Sequence, residues 1–455
     1  MQDDIIRMLR YNTGTDKKAF IAFKNNFDAV IFNATIVAYS GSAIADLVSV
    51  YKNQYIIDPM THIMQHDIMA LMSKDKKTGK YSIKKSVINY LKLLPNKIMS
   101  IIETEQRPLS TAEIEDVMDE LIIKVYNFET GYVDTFIKEK EYDKYLKYAN
   151  IGPQPKVIIA PYFMLKKDMD IEEIKQYFIL NKKSLDKFAS HSETQSKSYE
   201  VAAQLVIDRE ILKYPYLLDL IKDTYNSMKY EYVFIWINDF STFDCSKEEK
   251  EVFYHLIKDL NNLGKKPLMA YGGYDAILLS HRQMKARLYG TAQSVGYGEA
   301  RPITPVGGGL PVNKYYFGPL HRRMRFDEAL NILMKAGYFS SERSNAEHAL
   351  DYYQNICKCA QCKEIIQDDI DNFKAYNESI PYTVNARYGE IKRNRPTTEA
   401  TLIAAFHFLY CKIDEWDQLE KIELSDLVET LIGNYSKYGF GNEIMNIKEW
   451  CEIFA

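Results

Sequence analysis

Cysteine is scarce in this chain, and its placement is more informative than its number. Six cysteines occur among 455 residues, and three of them lie within CKCAQC, residues 357 to 362. So few cysteines cannot crosslink a chain of this length as a disulfide framework. The clustering instead favours a metal site in a reducing compartment.

A basic leader and a membrane-spanning run are both missing from the sequence. The chain starts MQDDIIRMLRYN, with two acidic residues where a secretory leader carries basic ones. No uninterrupted apolar run reaches the roughly 18 residues needed to cross a bilayer. We therefore expect a soluble, cytoplasmic protein with no membrane partner.

The sequence also has no excess of charge of either sign. Lys plus Arg total 58 against 62 Asp plus Glu, which gives a formal net charge of -4. Any site for a polyanion must therefore be a local patch. The strongest local concentration of basic residues is YYFGPLHRRMR (315–325), which includes His321, although a solvent-exposed helix start explains it equally well.

Short apolar runs alternate with longer helical stretches, as β/α units around a parallel sheet do. The candidate strands are residues 29–39, 54–59, 156–163, 200–207, 231–240, 267–274 and 291–301. A helix is predicted over Lys247 to Leu263, which has acidic residues in its first turns and Gly264 just past its end. Seven or eight such units predict an α/β fold of the TIM (β/α)8 barrel type.

The alternation of apolar runs and helical stretches, and its interruption after residue 64, divide the chain into four predicted parts. Residues 1–64 contain the first barrel strands, and residues 65–150 read as a helical insertion rich in Lys, Ile and Tyr without a clear strand. Residues 151–345 form the remainder of the barrel. Residues 346–455 form a C-terminal zinc-binding helical subdomain.

In such a barrel, functional side chains project from the C-terminal ends of the strands. Asp58 ends the apolar run of YIIDPMTH, and Asp239 ends that of VFIWINDF. For each aspartate taken alone, a role as a helix N-cap is the competing explanation. Because an aspartate occurs at each of two strand ends, a catalytic pair is favoured. Gly272 and Gly273 in YGGYDA would let a flat ligand or a phosphate approach the backbone.

The cysteine cluster predicts a zinc site. Thiolates of Cys357, Cys359 and Cys362 can surround one tetrahedral ion and leave a fourth position, for which His407 in AAFHFLYCKIDEW is the natural candidate. Cys411 is a competing ligand, and a histidine on an apolar helix face needs no metal at all. A site filled by three thiolates and one imidazole is structural, because it leaves no position for water or substrate.

CKCAQC followed by the helix of HFLYCKIDEWDQLE resembles the zinc segment of the tRNA-guanine transglycosylases. In that family, C-x-C-x2-C and a later helical histidine attach a small subdomain to a TIM barrel. The spacing before the histidine is longer here than in the usual members. The resemblance covers the barrel order and the C-terminal third, whereas the insertion at 65–150 has no counterpart in it.

The resemblance implies that a carboxylate attacks the anomeric carbon as guanine leaves, before a 7-deazaguanine such as preQ0 enters. By this resemblance, Asp58 corresponds to the aspartate with which the family recognises the base, and Gln204 corresponds to the glutamine that contacts the purine edge. PMTH replaces the family's serine and double glycine after Asp58, and SVGYGEAR has no aspartate at the late-strand nucleophile. Asp239, ahead of Glu299, is therefore expected to be the nucleophile.

The remaining substrate contacts are expected at the strand ends and in the basic stretch. An extruded base needs aromatic side chains to hold it, and three tyrosines lie in suitable loops. The expected substrate-binding residues are Gln204, Gly272, Gly273, Tyr274, Glu299, Arg301 and His321, and the three tyrosines are Tyr271, Tyr274 and Tyr297.

The expected substrate is DNA, with tRNA as the alternative, and two other classes of protein remain open from the sequence. Divergent relatives of the family exchange guanine in DNA within modification systems that include partner proteins, and the altered motifs and the insertion favour this substrate. A second alternative is a non-catalytic nucleic-acid-binding subunit, which the missing late-strand aspartate favours. A third is a metal-dependent hydrolase built around His62 and His66.

Overall fold

A sheet of eight parallel strands forms the centre of the fold. The computed structural model describes residues 5–11, 14–51, 54–75, 78–139, 155–295, 314–386 and 389–455. The strands are β1 Ile6–Tyr11, β2 Ala29–Asn33, β3 Gln54–Asp58, β4 Ile158–Ile159, β5 Val201–Ile207, β6 Tyr232–Ile237, β7 Lys266–Met269 and β8 Gly290–Ser294.

Each strand of this sheet pairs with its neighbour in the chain, and β1 also pairs with β8. Only the junction between β3 and β4 lacks a ladder. There, Tyr55 and Pro155 form an isolated parallel bridge, and the Lys156 amide donates to the Tyr55 carbonyl at 2.8 Å. The sheet is therefore nearly closed and barrel-like, with one seam.

Helices pack outside the sheet and continue into the C-terminal part of the chain. Those of the first half are Gly14–Phe23, Ala34–Tyr51, Ile68–Leu71, Lys85–Leu91, Asn96–Ser100, Thr111–Glu139, Ile171–Thr194, Leu217–Tyr225, Lys247–Asn262 and Tyr274–Leu278. Those that follow are Phe326–Lys335, Asn345–Asn355, Ala360–Ile366, Thr398–Lys421, Leu424–Lys437 and Ile444–Phe454. Within the described ranges, none of them carries the apolar stretch that a bilayer crossing requires.

Alternation along the strands separates two apolar layers. One layer fills the inside of the sheet, and the other lies between the sheet and the helices. The inner layer includes Met8, Ile31, Ile56, Val206, Phe234, Trp236 and Leu268. The inside of the barrel is therefore a packed core for most of its length.

Several predicted elements agree with the structure, and others need correction. The helix predicted over Lys247 to Leu263 is confirmed as Lys247–Asn262, with a capping box formed by Ser246 and Glu249. The candidate strand at 29–39 ends at Asn33, because a helix begins at Ala34. Strand β1 was missed, because Arg7 and Arg10 interrupt its apolar pattern.

The predicted helical insertion also contains strands, which corrects the reading of 65–150 as strandless. Met72–Lys74 pairs antiparallel with Tyr81–Ile83 in a short hairpin. Its lysine-rich sequence gave no apolar alternation from which a strand could be recognised. The long helix Thr111–Glu139, which we call the insertion helix, is the largest helix described in this region.

The insertion helix and the loop after β3 close the seam. The Glu129 carboxylate accepts a hydrogen bond from the Ile159 amide at 3.1 Å. Further along, Thr61 Oγ1 accepts from the Tyr162 amide at 2.8 Å and donates to the Tyr162 carbonyl at 2.6 Å. Gln65 bonds both backbone groups of Met164 in the same manner, at 2.8 and 2.9 Å. At the seam, side chains thus supply the hydrogen bonds that a full ladder between β3 and β4 would have supplied.

The Glu129 carboxyl predicts a pH dependence of stability. Burial raises its pKa well above the ordinary value of 4.5, so the folded state holds this proton more tightly than the unfolded state does. The resulting stability is present at low pH and is lost as the pH rises above about 4.5. We expect Glu129→Gln to keep the bond to Ile159 and to remove this part of the pH dependence.

The measurement is urea unfolding at about pH 5 and about pH 8. Glu129→Gln should gain stability relative to the wild type at the higher pH. Glu120→Gln, an exposed position on the same helix, is the matched control and should follow the wild type. A Glu129→Gln curve parallel to the wild type would contradict the assignment.

Candidate functional site

Asp58 is the last residue of β3 and is fully buried at the C-terminal end of the sheet. Its Oδ2 accepts from Arg10 Nη1 at 3.0 Å. Its Oδ1 accepts from the Tyr162 hydroxyl at 2.6 Å and from the Met60 amide at 3.1 Å. Both oxygens are therefore bonded in a site closed to water.

Adjacent strands bring the polar partners of Asp58 together. Asn33 lies beside Asp58 in the register of β2 and β3, and Arg10 reaches across from β1 to bond Asn33 Oδ1 at 3.0 Å. The Arg10 Nε donates to the Ala270 carbonyl at 3.1 Å, and the guanidinium lies 4.2 Å from the centre of the Tyr271 ring. One arginine therefore joins β1, β2 and β3 to the residue that follows β7 at this end of the sheet.

Charge pairing keeps Asp58 ionised despite its burial. Burial alone would raise the pKa of this carboxyl, but the Arg10 charge and the Tyr162 hydrogen bond outweigh it and lower the pKa below its ordinary value. Burial raises the pKa of Tyr162 well above its ordinary value, so this phenol stays a donor. The site is a buried ion pair with its hydrogen bonds satisfied.

Aromatic rings complete a circle of contacts that starts and ends at Asp58. Tyr162 stacks on His62 with centroids 5.5 Å apart, and His62 meets Trp236 edge-on at 5.5 Å. Trp236 lies 4.8 Å from Tyr271, which returns to Arg10. We call Arg10, Asp58, His62, Tyr162, Trp236 and Tyr271 the mouth ring, because they occupy the end of the barrel where its strands finish.

The tautomer of His62 follows from these bonds. The single proton of Tyr162 goes to Asp58, so His62 Nδ1, at 3.0 Å from the Tyr162 oxygen, must be the donor in that pair. Burial, followed by repulsion from His62, lowers the pKa of neighbouring His66 to about 2. Among the described residues, no carboxylate completes a metal-ligand cluster with these two histidines, so the hydrolase alternative gains no support.

Gln204 lies in the middle of β5 and is 3% exposed. It alternates with Ala202 and Val206, both of which face the inside of the barrel, so its side chain points the same way. Neither the amide oxygen nor the amide nitrogen has a hydrogen-bond partner among the described residues. A buried amide of this kind normally bonds a ligand or an ordered water.

Asp239 occupies a different environment from Asp58. It is exposed in the turn after β6, in a left-handed backbone conformation with φ of 47°. The mouth ring receives Trp236 from β6, and no described contact joins Asp239 to the ring. Its role as a nucleophile therefore stays a prediction, and Glu299, Arg301 and Tyr297 lie outside the described residues.

The glycines after β7 have a packing role that differs from the expected ligand approach. A Cβ on Gly272 would lie 2.5 Å from Ala276 Cβ and 2.6 Å from Thr291 Oγ1. Close packing against Ala276 and Thr291 is therefore sufficient reason for a glycine at this position, and the approach of a flat ligand here stays a prediction. Gly273 precedes the short helix Tyr274–Leu278 as its N-cap.

Tyr274 and His321 lie against each other at the junction between the barrel and the C-terminal helices. Their rings stack with centroids 3.6 Å apart, and Tyr274 is 3% exposed. His321 Nδ1 lies 2.7 Å from the buried Glu415 carboxylate, which also bonds Lys412 at 3.1 Å. Because His321 covers one face of Tyr274, this tyrosine forms part of an internal interface.

The basic stretch around His321 is neutralised within the protein. Arg322 pairs with Glu443 at 2.7 Å, and Arg325 pairs with Asp327 at 3.1 Å. Arg323 donates to the backbone carbonyls of β8 and the residue after it. The Arg323 bonds attach the hairpin of Lys314–Phe317 and Arg322–Arg325 to β8, while Arg322 and Arg325 already have acidic partners, which weakens the case for a polyanion patch here.

The predicted metal ligands come together. Cys357, Cys359, Cys362 and His407 offer ligand atoms that all lie within 4.8 Å of one another. His407 Nδ1 is 3.3 Å from Cys362 Sγ and 3.4 Å from Cys359 Sγ. Three sulfurs around one imidazole nitrogen match the donor set of a tetrahedral metal site.

Neighbouring groups orient the histidine and the sulfurs of this Cys3His cluster. His407 Nε2 donates to the Tyr316 carbonyl at 2.7 Å, which leaves Nδ1 as the nitrogen that faces the sulfurs. The Cys362 amide donates to Cys359 Sγ at 3.4 Å. Cys411 Sγ and Cys357 Sγ each lie 3.8 Å from His407 Nδ1, and the two sulfurs are 3.8 Å apart, so Cys411 stands beside the four-residue set as an alternative donor.

Sequence reasoning missed Arg10, Tyr162 and Trp236 as members of the site. Arg10 offered a signal, because a charged residue inside an apolar strand needs a buried partner. Tyr162 and Trp236 offered none, since tyrosine and tryptophan in apolar runs are ordinary core residues.

Comparison with known proteins adds no further assignment. No protein-family model matches this chain, and no curated protein matches it.

The buried pair of Arg10 and Asp58 predicts a strong stability effect. Arg10→Met leaves the Asp58 carboxylate buried without its cation, and we expect a loss of about 3–5 kcal/mol in the free energy of unfolding. The double variant Arg10→Met with Asp58→Asn removes both charges and should recover much of that loss. Urea unfolding of the two variants makes the comparison, and equal losses would contradict a direct ionic coupling.

Proposed function

We propose that this chain is a guanine transglycosylase with a TIM barrel, which replaces guanine in DNA with a 7-deazaguanine such as preQ0. Three features support the proposal: the chain-order parallel sheet, the Cys3His cluster at the predicted positions, and polar side chains inside the C-terminal end of the sheet. The resemblance of CKCAQC and its following helix to the transglycosylases supplies the chemistry.

The observation that carries the proposal is the unpartnered Gln204 amide in the barrel interior. An amide side chain presents one acceptor and two donors. Those groups complement the adjacent carbonyl and N–H groups on the edge of guanine and of 7-deazaguanines. Gln204 therefore has the chemistry to read a purine edge, which is the role that the resemblance assigns to it.

The reaction divides between two carboxylates. A nucleophilic carboxylate forms a bond to the anomeric carbon as the glycosidic bond to guanine breaks, and the incoming base then displaces it. We assign the nucleophile to Asp239, which is exposed after β6, and base recognition to Asp58. Asp58 suits that role because Arg10 keeps it ionised as an acceptor for N–H groups of the base.

DNA is the preferred polymer, and tRNA is the alternative. The sequence PMTH replaces the family's usual residues after Asp58, and Thr61 and His62 of this stretch serve the seam and the mouth ring. The insertion helix, which the usual members do not have, fills the same seam. The surroundings of Asp58 thus differ from those expected of an ordinary tRNA enzyme.

One observation favours a non-catalytic binding subunit as a second candidate. Both oxygens of Asp58 are already bonded within the protein and the residue is fully buried, which counts against the base-recognition role that the transglycosylase proposal gives it. A protein of this kind would bind nucleic acid and present it to a partner of the modification system. The exchange assay below separates the two candidates.

The Cys3His cluster is proposed to hold a structural Zn2+. Three thiolates and one imidazole leave no position for substrate, so the ion would stabilise the C-terminal subdomain without entering the reaction. We expect about one zinc ion per chain by elemental analysis. Cys362→Ser should lose the metal and lower the melting temperature, whereas Cys451→Ser, outside the cluster, should change neither.

Cys411→Ser tests which residue is the fourth ligand. If His407 is the ligand, this variant keeps its zinc, and His407→Ala loses it. The reverse pattern would assign the position to Cys411.

The exchange reaction is tested with radiolabelled guanine. We expect the purified chain to incorporate label into DNA and to leave bulk tRNA unlabelled, and Asp239→Asn to abolish incorporation while keeping the fold. Asp223→Asn, an exposed aspartate on the helix Leu217–Tyr225, is the matched control and should be fully active. Full activity of Asp239→Asn would remove Asp239 as the nucleophile.

The polymer and the class of protein follow from the same assay. Label in tRNA alone would contradict the DNA assignment. Absence of label from both polymers, with zinc bound and DNA retained on the protein, would favour the binding subunit.

A further inference from the structure

An exposed β-hairpin interrupts the Cys3His segment. Ser379–Ala386 pairs antiparallel with Gly389–Pro396, and we call this element the cysteine-histidine hairpin. It lies between Cys362 and His407, so it accounts for the long spacing between the third cysteine and the histidine. The Thr397 amide donates to the Glu378 carbonyl at 2.9 Å and closes the base of the hairpin.

The hairpin is long enough to act as an arm. Each strand has eight residues, which corresponds to about 25 Å at roughly 3.3 Å per residue. Its described side chains are exposed or half-buried along both strands. A two-stranded ribbon of this kind buries little apolar surface of its own, so folding of the core does not explain its length.

Strand register sorts the charges of the hairpin onto two faces. Tyr382 pairs with Arg393 and Ile380 pairs with Arg395, so these four side chains share one face. Lys392 pairs with Thr383 and therefore lies on the other face, which also carries Glu390. The Arg395 guanidinium lies 5.2 Å from the centre of the Tyr382 ring.

The two arginines are uncompensated. No carboxylate forms an ion pair with Arg393 or Arg395 among the described residues, and both side chains are exposed. Arg322 and Arg325, by contrast, have acidic partners. In a chain with a net charge of -4, two exposed arginines on one face, without an ion-pair partner among the described residues, form a local patch of the kind that a polyanion site needs.

We propose that the arginine face of the cysteine-histidine hairpin binds duplex DNA, with Arg393 and Arg395 on the phosphates and Tyr382 supporting them. The inference rests on the proposed function for its substrate. A two-stranded ribbon fits the major groove of B-DNA, whereas the deep, narrow major groove of A-form RNA does not admit it. The shape of the element thus favours DNA over tRNA.

Fluorescence anisotropy of the full chain with a labelled DNA duplex tests the proposal. Arg393→Gln with Arg395→Gln should weaken binding at least about tenfold. The slope of log affinity against log salt should flatten by about 2, because each lost phosphate contact removes about 0.9. Lys392→Gln, on the opposite face of the same hairpin, should have a clearly smaller effect.

A second control removes the same charge elsewhere. Lys213→Gln with Lys335→Gln alters two exposed lysines outside the hairpin and should bind DNA as the wild type does. Zinc content and circular dichroism confirm that each variant is folded. An equal loss in this control would overturn the proposal, because net charge alone would then explain the effect.

Three further outcomes of the binding and exchange assays test the hairpin proposal separately from the proposed function. Wild-type affinity in the double arginine variant overturns the proposal even if guanine exchange into DNA is intact, so the proposed function can survive its failure. A loss confined to tRNA binding overturns the assignment of DNA. A loss of DNA binding in a chain that exchanges no base supports the hairpin's role and counts against the transglycosylase.

Discussion

Closure of the sheet between β3 and β4 is the constraint on which the rest of the structure depends. A parallel barrel must satisfy the backbone groups of every strand, and here the last ladder is reduced to one bridge. Glu129, Thr61 and Gln65 supply side-chain bonds in its place. The insertion helix is therefore part of the barrel wall, and the loop after β3 is fixed beside the residues that surround Asp58.

That closure explains why the candidate site is so completely buried. Thr61 holds the backbone of Tyr162, and the Tyr162 hydroxyl bonds Asp58. The same loop carries His62 into the aromatic contacts of the mouth ring. An aspartate at a strand end, a tyrosine from the next strand's loop and an arginine from the first strand thus form one electrostatic unit in which burial strengthens each bond.

The sequence predicted the parts of the structure whose signals are local. The capped helix at Lys247, the apolar runs of β5 and β6, and the cysteine spacing all lie within short stretches, and each has its expected place in the structure. The missed parts depend on distant partners. The places of Arg10, Gly272 and His321 are explained by contacts with Asp58, Thr291 and Glu415, respectively. Each of these partners is distant in the chain, so the periodicity of a single stretch could not reveal it.

The first strand has a consequence for the order in which the chain folds. β1 pairs with β8, and Arg7 at its start bonds Asp417 at 2.8 Å and Glu420 at 3.0 Å on the helix that also carries His407. These contacts join residues separated by almost the whole chain, and contacts of such long range form slowly. During synthesis, the edge of β1 that pairs with β8 keeps its backbone groups unpaired until residues 290–294 have emerged. We therefore expect the sheet to close late, and an unpaired strand edge exposes the nascent chain to aggregation before that.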